Sequence, residues 1–173
     1  MNLIVTCARN LEGEAEEEII DILDELGDPD VKISISNMSG IITVQTKLDP
    51  IEVVRKMKEI LLDEPWSIRY CLRVIPIQKI VETNLEKIQE CISSISDKIE
   101  DNESYRILIE KRNSDISSKE IITNIANQIK NKVSLDFPDK IILIEILGIV
   151  TGISLIKKSD ILSLEKTKRS MSE

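Results

Sequence analysis

The stretch YRILIEKRNSDISSKEIITNIANQIKNKVSLDFPDKIILIEILGIVTGISL, residues 105–155, decides the fold. It reads strand, helix, strand, strand. Tyr105–Glu110 is a predicted strand that ends on a basic pair, Lys111-Arg112. Ser117-Ser118-Lys119-Glu120 has the spacing of a capping box, in which a hydroxyl and a carboxylate three residues apart satisfy the first free N–H groups of a helix. That helix is expected over Ser117–Val133, with Ile121, Ile122, Ile125, Ile129 and Val133 as its buried stripe. Ile141–Leu147 is almost continuously apolar, as a strand covered on both faces is. Gly148 or Gly152 permits a tight turn or a close backbone approach around the last strand, Ile149–Ile156.

Upstream, Leu85, Ile88, Ile92, Ile95 and Ile99 recur at helical spacing, and a second unit is taken to begin near Gln78. The first 75 residues follow a different order. Asn2–Ala8 reads as a strand. Glu12–Leu26 is an amphipathic helix stopped by Gly27, a residue suited to a left-handed C-terminal cap. Val31–Ser36 and Gly40–Thr46 form a hairpin through Asn37-Met38-Ser39. Asp49-Pro50 opens a second helix running to about Leu62, with aspartate as cap and proline in the first turn. Ser67–Ile75 is a strand closed by Pro76. The resulting βαββαβ order is the ferredoxin-like pattern. Alternation along the last strand sets Ile68, Tyr70, Leu72 and Val74 on one face and Arg69, Cys71 and Arg73 on the other, which places the two arginines toward the exposed side.

Composition excludes several chemistries. The 173 residues contain no histidine, and Cys7, Cys71 and Cys91 lack metal-ligand spacing. Zinc sites, serine triads and imidazole bases are therefore not expected, and no cofactor or metal is assigned. The five glycines form no phosphate-cradling loop of the P-loop or dinucleotide type. Glu110 and Glu145 are expected on adjacent strands, where a charge pair with Arg106 explains them better than catalysis. Cys7 and Cys71 are read as neighbouring packing residues rather than a disulfide. No apolar run reaches the ~18 residues of a membrane span, and Met1–Ala8 lacks a signal-peptide pattern. A soluble, cytoplasmic protein with reduced thiols is expected.

Net charge is −8, which by itself opposes nucleic-acid binding. The charge is uneven, however. Residues 1–75 hold 15 acidic and 8 basic residues, whereas residues 104–173 hold 9 acidic and 12 basic. Local charge, rather than the total, governs a binding surface. Lys111 and Arg112, followed by Ser117, Ser118 and Lys119 at a helix start, combine cations with unpaired N–H groups and suit a phosphate. Lys157 and Lys158 extend the candidate set after the last strand; Arg69 and Arg73 are its members in the first half. Aromatic content is only 2%, so recognition through backbone and shape is expected instead of a stacking platform.

The run from Tyr105 to Lys166, with its Ser-Ser-Lys-Glu, Val-Ser-Leu-Asp-Phe-Pro-Asp, Ile-Glu-Ile and Thr-Gly-Ile-Ser elements, resembles a THUMP domain. The similarity covers roughly residues 78–168. It looks most like the branch found in tRNA cytidine-acetylation adaptors, and TCARNLEGEAEEEIIDILDELGD and RYCLRVIPI are similar to that family's ferredoxin-like module. The resemblance implies an α+β fold: a ferredoxin-like domain at 1–77, a THUMP domain with helices packed on a mixed sheet at 78–164, and a polar tail at 165–173. It implies a non-catalytic protein that grips the acceptor stem and 3′ end of tRNA and presents them to a separate enzyme, the acetyltransferase that makes N4-acetylcytidine. No membrane and no small-molecule substrate are implied. Two alternatives stand beside this reading. One is an adaptor for tRNA methylation or thiolation. The other is a protein-binding module, with the acidic helix Glu12–Glu25 docking a basic partner.

Overall fold

The computed structural model describes residues 1–172. In chain order its elements are β1 (Leu3–Thr6), α1 (Glu12–Glu25), β2 (Lys32–Ile35), β3 (Ile41–Gln45), α2 (Pro50–Asp63), β4 (Arg73–Pro76) and β5 (Lys79–Glu82). There follow α3 (Leu85–Ser96), β6 (Tyr105–Arg112), α4 (Ser118–Gln128), β7 (Lys140–Leu147), β8 (Val150–Ile156), β9 (Leu162–Ser163) and α5 (Leu164–Met171). They divide into two compact units. One comprises Met1–Ile77 with the chain from Ser159 onward; the other is Gln78–Lys158.

The first unit is a sheet of order β2-β3-β1-β4-β9, antiparallel at every pairing. Leu3, Val5, Ile42, Val44 and Val74 pack against Ala15, Ile19 and Leu23 of α1 and Val53, Val54, Met57 and Leu61 of α2. The local signals act as their chemistry dictates. Asp49 accepts hydrogen bonds from the N–H groups of Ile51 (2.8 Å) and Glu52 (3.3 Å), so α2 starts at Pro50. Gly27 takes φ +111°, and α1 ends there.

The strand expected over Ser67–Ile75 forms only from Arg73. Residues 69–71 are held instead by Glu18 of α1, whose carboxylate accepts from the N–H groups of Arg69, Tyr70 and Cys71, each at 2.9 Å. Three backbone donors tied to one side chain leave the strand pairing, and the expected alternation fails. Cys71 is fully buried while Leu72 is 41% exposed. Cys7 and Cys71 are free thiols in the same core. Burial pushes the Cys71 thiol far above its ordinary range, with the Glu18 carboxylate adding to the effect.

Residues from Ser159 onward also differ from the expected domain end and polar tail. β9 pairs with β4, Arg73 opposite Ser163. Ser163 then caps α5 by accepting from the Lys166 N–H. Leu162 and Leu164 join the first unit's core.

Asp28 shows a buried charge held by local donors. It is 2% exposed. Its carboxylate accepts from the Thr46 hydroxyl and from the N–H groups of Lys47 (2.9 Å) and Asp30 (3.2 Å). The Thr46 hydroxyl, foremost, holds this carboxyl below the usual aspartate range. A depressed folded-state pKa gives stability that is present above the unfolded value, near 3.9, and lost as pH falls through the folded value. Asp28→Asn is therefore expected to cost about 2 kcal/mol at neutral pH. The gap from wild type should narrow in acid below about pH 4. Urea unfolding at pH 7 and pH 3 checks this, and a gap independent of pH would contradict it.

The second unit is a sheet of order β5-β8-β7-β6 in which β6 and β7 are parallel and the other pairs antiparallel. Helices α3 and α4 cover one face: Ile88, Ile92 and Ile95 with Ile121 and Ile125 pack on Ile142, Ile144, Ile146 and Ile153. Tyr105 is buried in the same cluster. β5 was not expected from the sequence; its four residues pair with β8 and end the sheet. α3 stops at Ser96 instead of Ile99, and α4 stops at Gln128 instead of Val133. Val133 is 51% exposed because residues 132–134 turn extended beside β6. There the Tyr105 N–H donates to the Lys132 carbonyl, and the Ser134 N–H donates to the Tyr105 carbonyl, each at 3.0 Å. Those strand-type bonds compete with the last helical turn and win.

Candidate nucleic-acid interface

The parallel pair β6–β7 fixes where the predicted basic residues fall. Register sets Arg112 beside Leu147, so both strands end together. Asn113 follows with φ +54° and turns the chain back toward α4. Ser117 accepts from the Glu120 N–H at 3.2 Å, and the Ile121 N–H donates to the Ser117 carbonyl. The N–H groups of Ser118 and Lys119 are left without a partner inside the helix, as first-turn donors are. Lys111 and Lys119 are exposed. The Lys111 ammonium donates to the Ile116 carbonyl at 2.9 Å, which keeps it against the loop that leads into α4. Two cations and a helix N-terminus with open donors thus share the carboxyl end of a parallel strand pair, an arrangement suited to an anion.

Arg112 has a different place from the one expected. Its guanidinium donates to Glu145 at 3.1 Å; Glu145 is fully buried and the Arg112 side chain is 27% exposed. The parallel register puts Arg112 and Glu145 on one face of the sheet, two residues out of step. The Glu145 pair expected with Arg106 is therefore made by Arg112, because Arg106 stands opposite Ile141 at the far end of the strands. Arg106 donates instead to the Leu135 carbonyl at 3.1 Å.

The remaining candidates do not join this group. Lys157 and Lys158 are exposed but follow the end of β8 that lies opposite Ile141, at the other end of the sheet. At about 3.3 Å per residue that is roughly 20 Å from Arg112. Arg69 and Arg73 belong to the first unit. Arg69 is exposed, with its Nε donating to the Trp66 carbonyl at 3.3 Å; Arg73 is half-buried in β4.

The first unit has a cleft of about 480 Å³ that sequence reading did not isolate. It is lined by Glu14, Glu17, Glu18, Asp21 and Glu25 of α1, by Glu64, and by apolar Ile22, Ile60, Ile68 and Tyr70. The acidic spacing of α1 was visible; the part played by Ser67, Ile68 and Tyr70 in lining the cleft was not, because Ser67–Ile75 was read as strand. No helix among the described residues is long and apolar enough to cross a membrane.

Residues 82–156, most of the second unit, match the THUMP domain family. The matched stretch contains α3, β6, α4, β7 and β8, and with them Lys111 and Lys119. Solved structures share the fold across both units. PH1313 from Pyrococcus horikoshii Ot3 aligns with a TM-score of 0.63 at 19% identity, over 91% of this chain and 55% of that one. TrmN from Thermus thermophilus aligns with a TM-score of 0.59 at 12% identity, over 88% and 44%. A possible methylase from Clostridium difficile 630 aligns with a TM-score of 0.54 at 19% identity, over 90% and 40%. The chain therefore spans about half, or less, of these proteins' lengths. No curated protein matches it.

Proposed function

We propose that the chain is a non-catalytic tRNA-binding adaptor that grips the acceptor end of tRNA and presents it to a separate modifying enzyme. The observation that carries this reading is the placement of Lys111 and Lys119 beside the open first turn of α4, within a THUMP domain. The β2-β3-β1-β4 antiparallel order of the first unit supports a ferredoxin-like module there. The acetyltransferase that makes N4-acetylcytidine is the partner enzyme we infer, on the resemblance of residues 78–168 and of the N-terminal runs to that adaptor branch. A cytoplasmic location follows from that role.

The second unit carries 12 basic and 13 acidic residues, so its overall charge offers no general attraction to RNA. Affinity has to come from local cations that replace counterions on the phosphates. Each phosphate contact contributes about 0.7–0.9 to the slope of log K against log salt. Changing Lys111 and Lys119 together to Gln is expected to lower tRNA affinity and reduce that slope by about 1.4–1.8, with the fold unchanged by circular dichroism. A salt titration of tRNA binding checks it. An unchanged slope in the folded double variant would sink the proposed site.

A second reading has its own observation. The acidic cleft of the first unit suits a basic protein segment, as a protein-binding module requires. That reading leads if the folded protein fails to bind tRNA at low salt.

A further inference from the structure

The β7–β8 connection is a two-residue turn, Gly148-Ile149, with positive φ at Gly148 alone (61°). Glycine in the first central position is what such a hairpin turn requires. The turn is clamped on both sides. The Gly148 N–H donates to the Arg112 carbonyl at 2.9 Å, which ties it to the end of β6. The Thr83 N–H donates to the Ile149 carbonyl at 2.8 Å, and the Thr83 and Thr151 hydroxyls are 2.8 Å apart, which ties it to the end of β5. Despite this fixed backbone, the Ile149 side chain is 83% exposed. A single exposed isoleucine is ordinary in itself. Its position is what matters: it projects from the sheet end that carries Lys111 and the α4 N-terminus, joined to that end by the Gly148–Arg112 hydrogen bond.

We propose that Ile149 is the apolar contact for an unpaired base of the tRNA whose phosphates are held by Lys111 and Lys119. The inference rests on the tRNA-binding reading above. A ligand with anionic linkages and flat apolar faces matches an exposed apolar side chain on a fixed turn at the sheet end that carries Lys111 and the open N–H donors of α4. A double-stranded stem does not, because its base faces are stacked on each other. Ile149 supplies an aliphatic surface against which a base face can lie by van der Waals contact, not by ring stacking.

The probe is an unmodified tRNA transcript, compared with the same transcript lacking its unpaired 3′ nucleotides. Ile149→Ala is expected to weaken binding of the complete transcript by roughly 5- to 20-fold, from the apolar area the base no longer covers. The salt slope should not change, because no cation is lost. On the truncated transcript the penalty should disappear. Equal penalties on both transcripts, or none on either, overturn the proposed base contact. If the lysine variants still lose affinity and salt slope in those cases, the tRNA-binding reading stands and only the Ile149 contact falls. If wild-type protein binds neither transcript at low salt, both fall together. The side chain is largely solvent-exposed, so circular dichroism and urea unfolding of Ile149→Ala should match wild type.

Discussion

Arg112→Ala is expected to destabilise the second unit by about 3 kcal/mol, more than any other change at the basic strand end. Removing one partner of a buried ion pair leaves the other charge in a medium that solvates it poorly, at a typical cost of about 3–5 kcal/mol. Glu145 is fully buried, but Arg112 keeps 27% of its side chain in solvent, so the lower part of that range applies. The surroundings of Glu145 on β7 aggravate the loss. Its register partner on β6 is Glu110, a second carboxylate on the same sheet face. Arg112→Lys should recover only part of the loss, because an ammonium keeps the charge and gives up the planar fork. Arg112→Met combined with Glu145→Leu should lie close to wild type, since replacing a buried pair with apolar groups is often neutral. Urea unfolding of the three variants, with amide exchange along β6 and β7, decides the matter. A loss below about 0.5 kcal/mol for Arg112→Ala would place this pair among ordinary surface ion pairs. The consequence for function is direct. Arg112 stood beside Lys111 in the sequence as an equal phosphate ligand, yet a loss of RNA binding in an Arg112 variant would report on stability as much as on contact. Lys111 and Lys119, both exposed, give the cleaner test.

The contrast between Lys111 and Arg112 shows where sequence reading stops. Alternation along a strand puts them on opposite faces of β6, a consequence the sequence reading did not draw. It could not show that one face carries a buried glutamate from a strand more than 30 residues away, because that depends on parallel register. Local signals fared better wherever one residue determines one backbone bond. Asp49, Ser117 and Gly27 act where they were expected, and the βαββαβ order of the first 76 residues is observed as elements. The failures share one cause, a tertiary partner that outcompetes a local preference. Glu18 draws the N–H groups of residues 69–71 out of strand pairing. The backbone of Tyr105 draws residues 132–134 out of α4. Leu162 and Leu164 draw a polar-looking tail into the first unit's core. The candidate site was legible as a cluster of residue types. Their spacing in the fold was not: Lys157 and Lys158 follow the end of the sheet opposite to the one that carries Lys111.

Gly40→Ala is expected to unfold the first unit more readily than any other glycine substitution there, by about 3 kcal/mol or more. Two costs combine. Gly40 has φ +76°, where an L-residue with a Cβ is strained by about 1–2 kcal/mol. The added Cβ would also lie 2.6 Å from the Cys7 carbonyl oxygen, well inside van der Waals contact. That oxygen belongs to backbone and cannot rotate away. Strands β1 and β3 meet there: the Cys7 N–H donates to the Gly40 carbonyl at 2.9 Å, one step beyond the Thr6–Ile41 pair. Relieving the clash means parting the two central strands or giving up that bond. It also disturbs the Gly40 N–H, which donates at 2.8 Å to Glu12 in the first turn of α1 and, foremost among several contacts, holds that carboxyl below its usual range. Gly27 supplies the control. Its φ of +111° is also unfavourable for alanine, but nothing lies within 4 Å of a Cβ placed there. Gly27→Ala should therefore show strain alone, about 1–2 kcal/mol. The difference between the two variants, read from urea midpoints at equal slope, measures the clash. Equal losses would mean that Cys7 and Gly40 move apart freely, and the close approach of β1 and β3 would then have no role in setting this sheet.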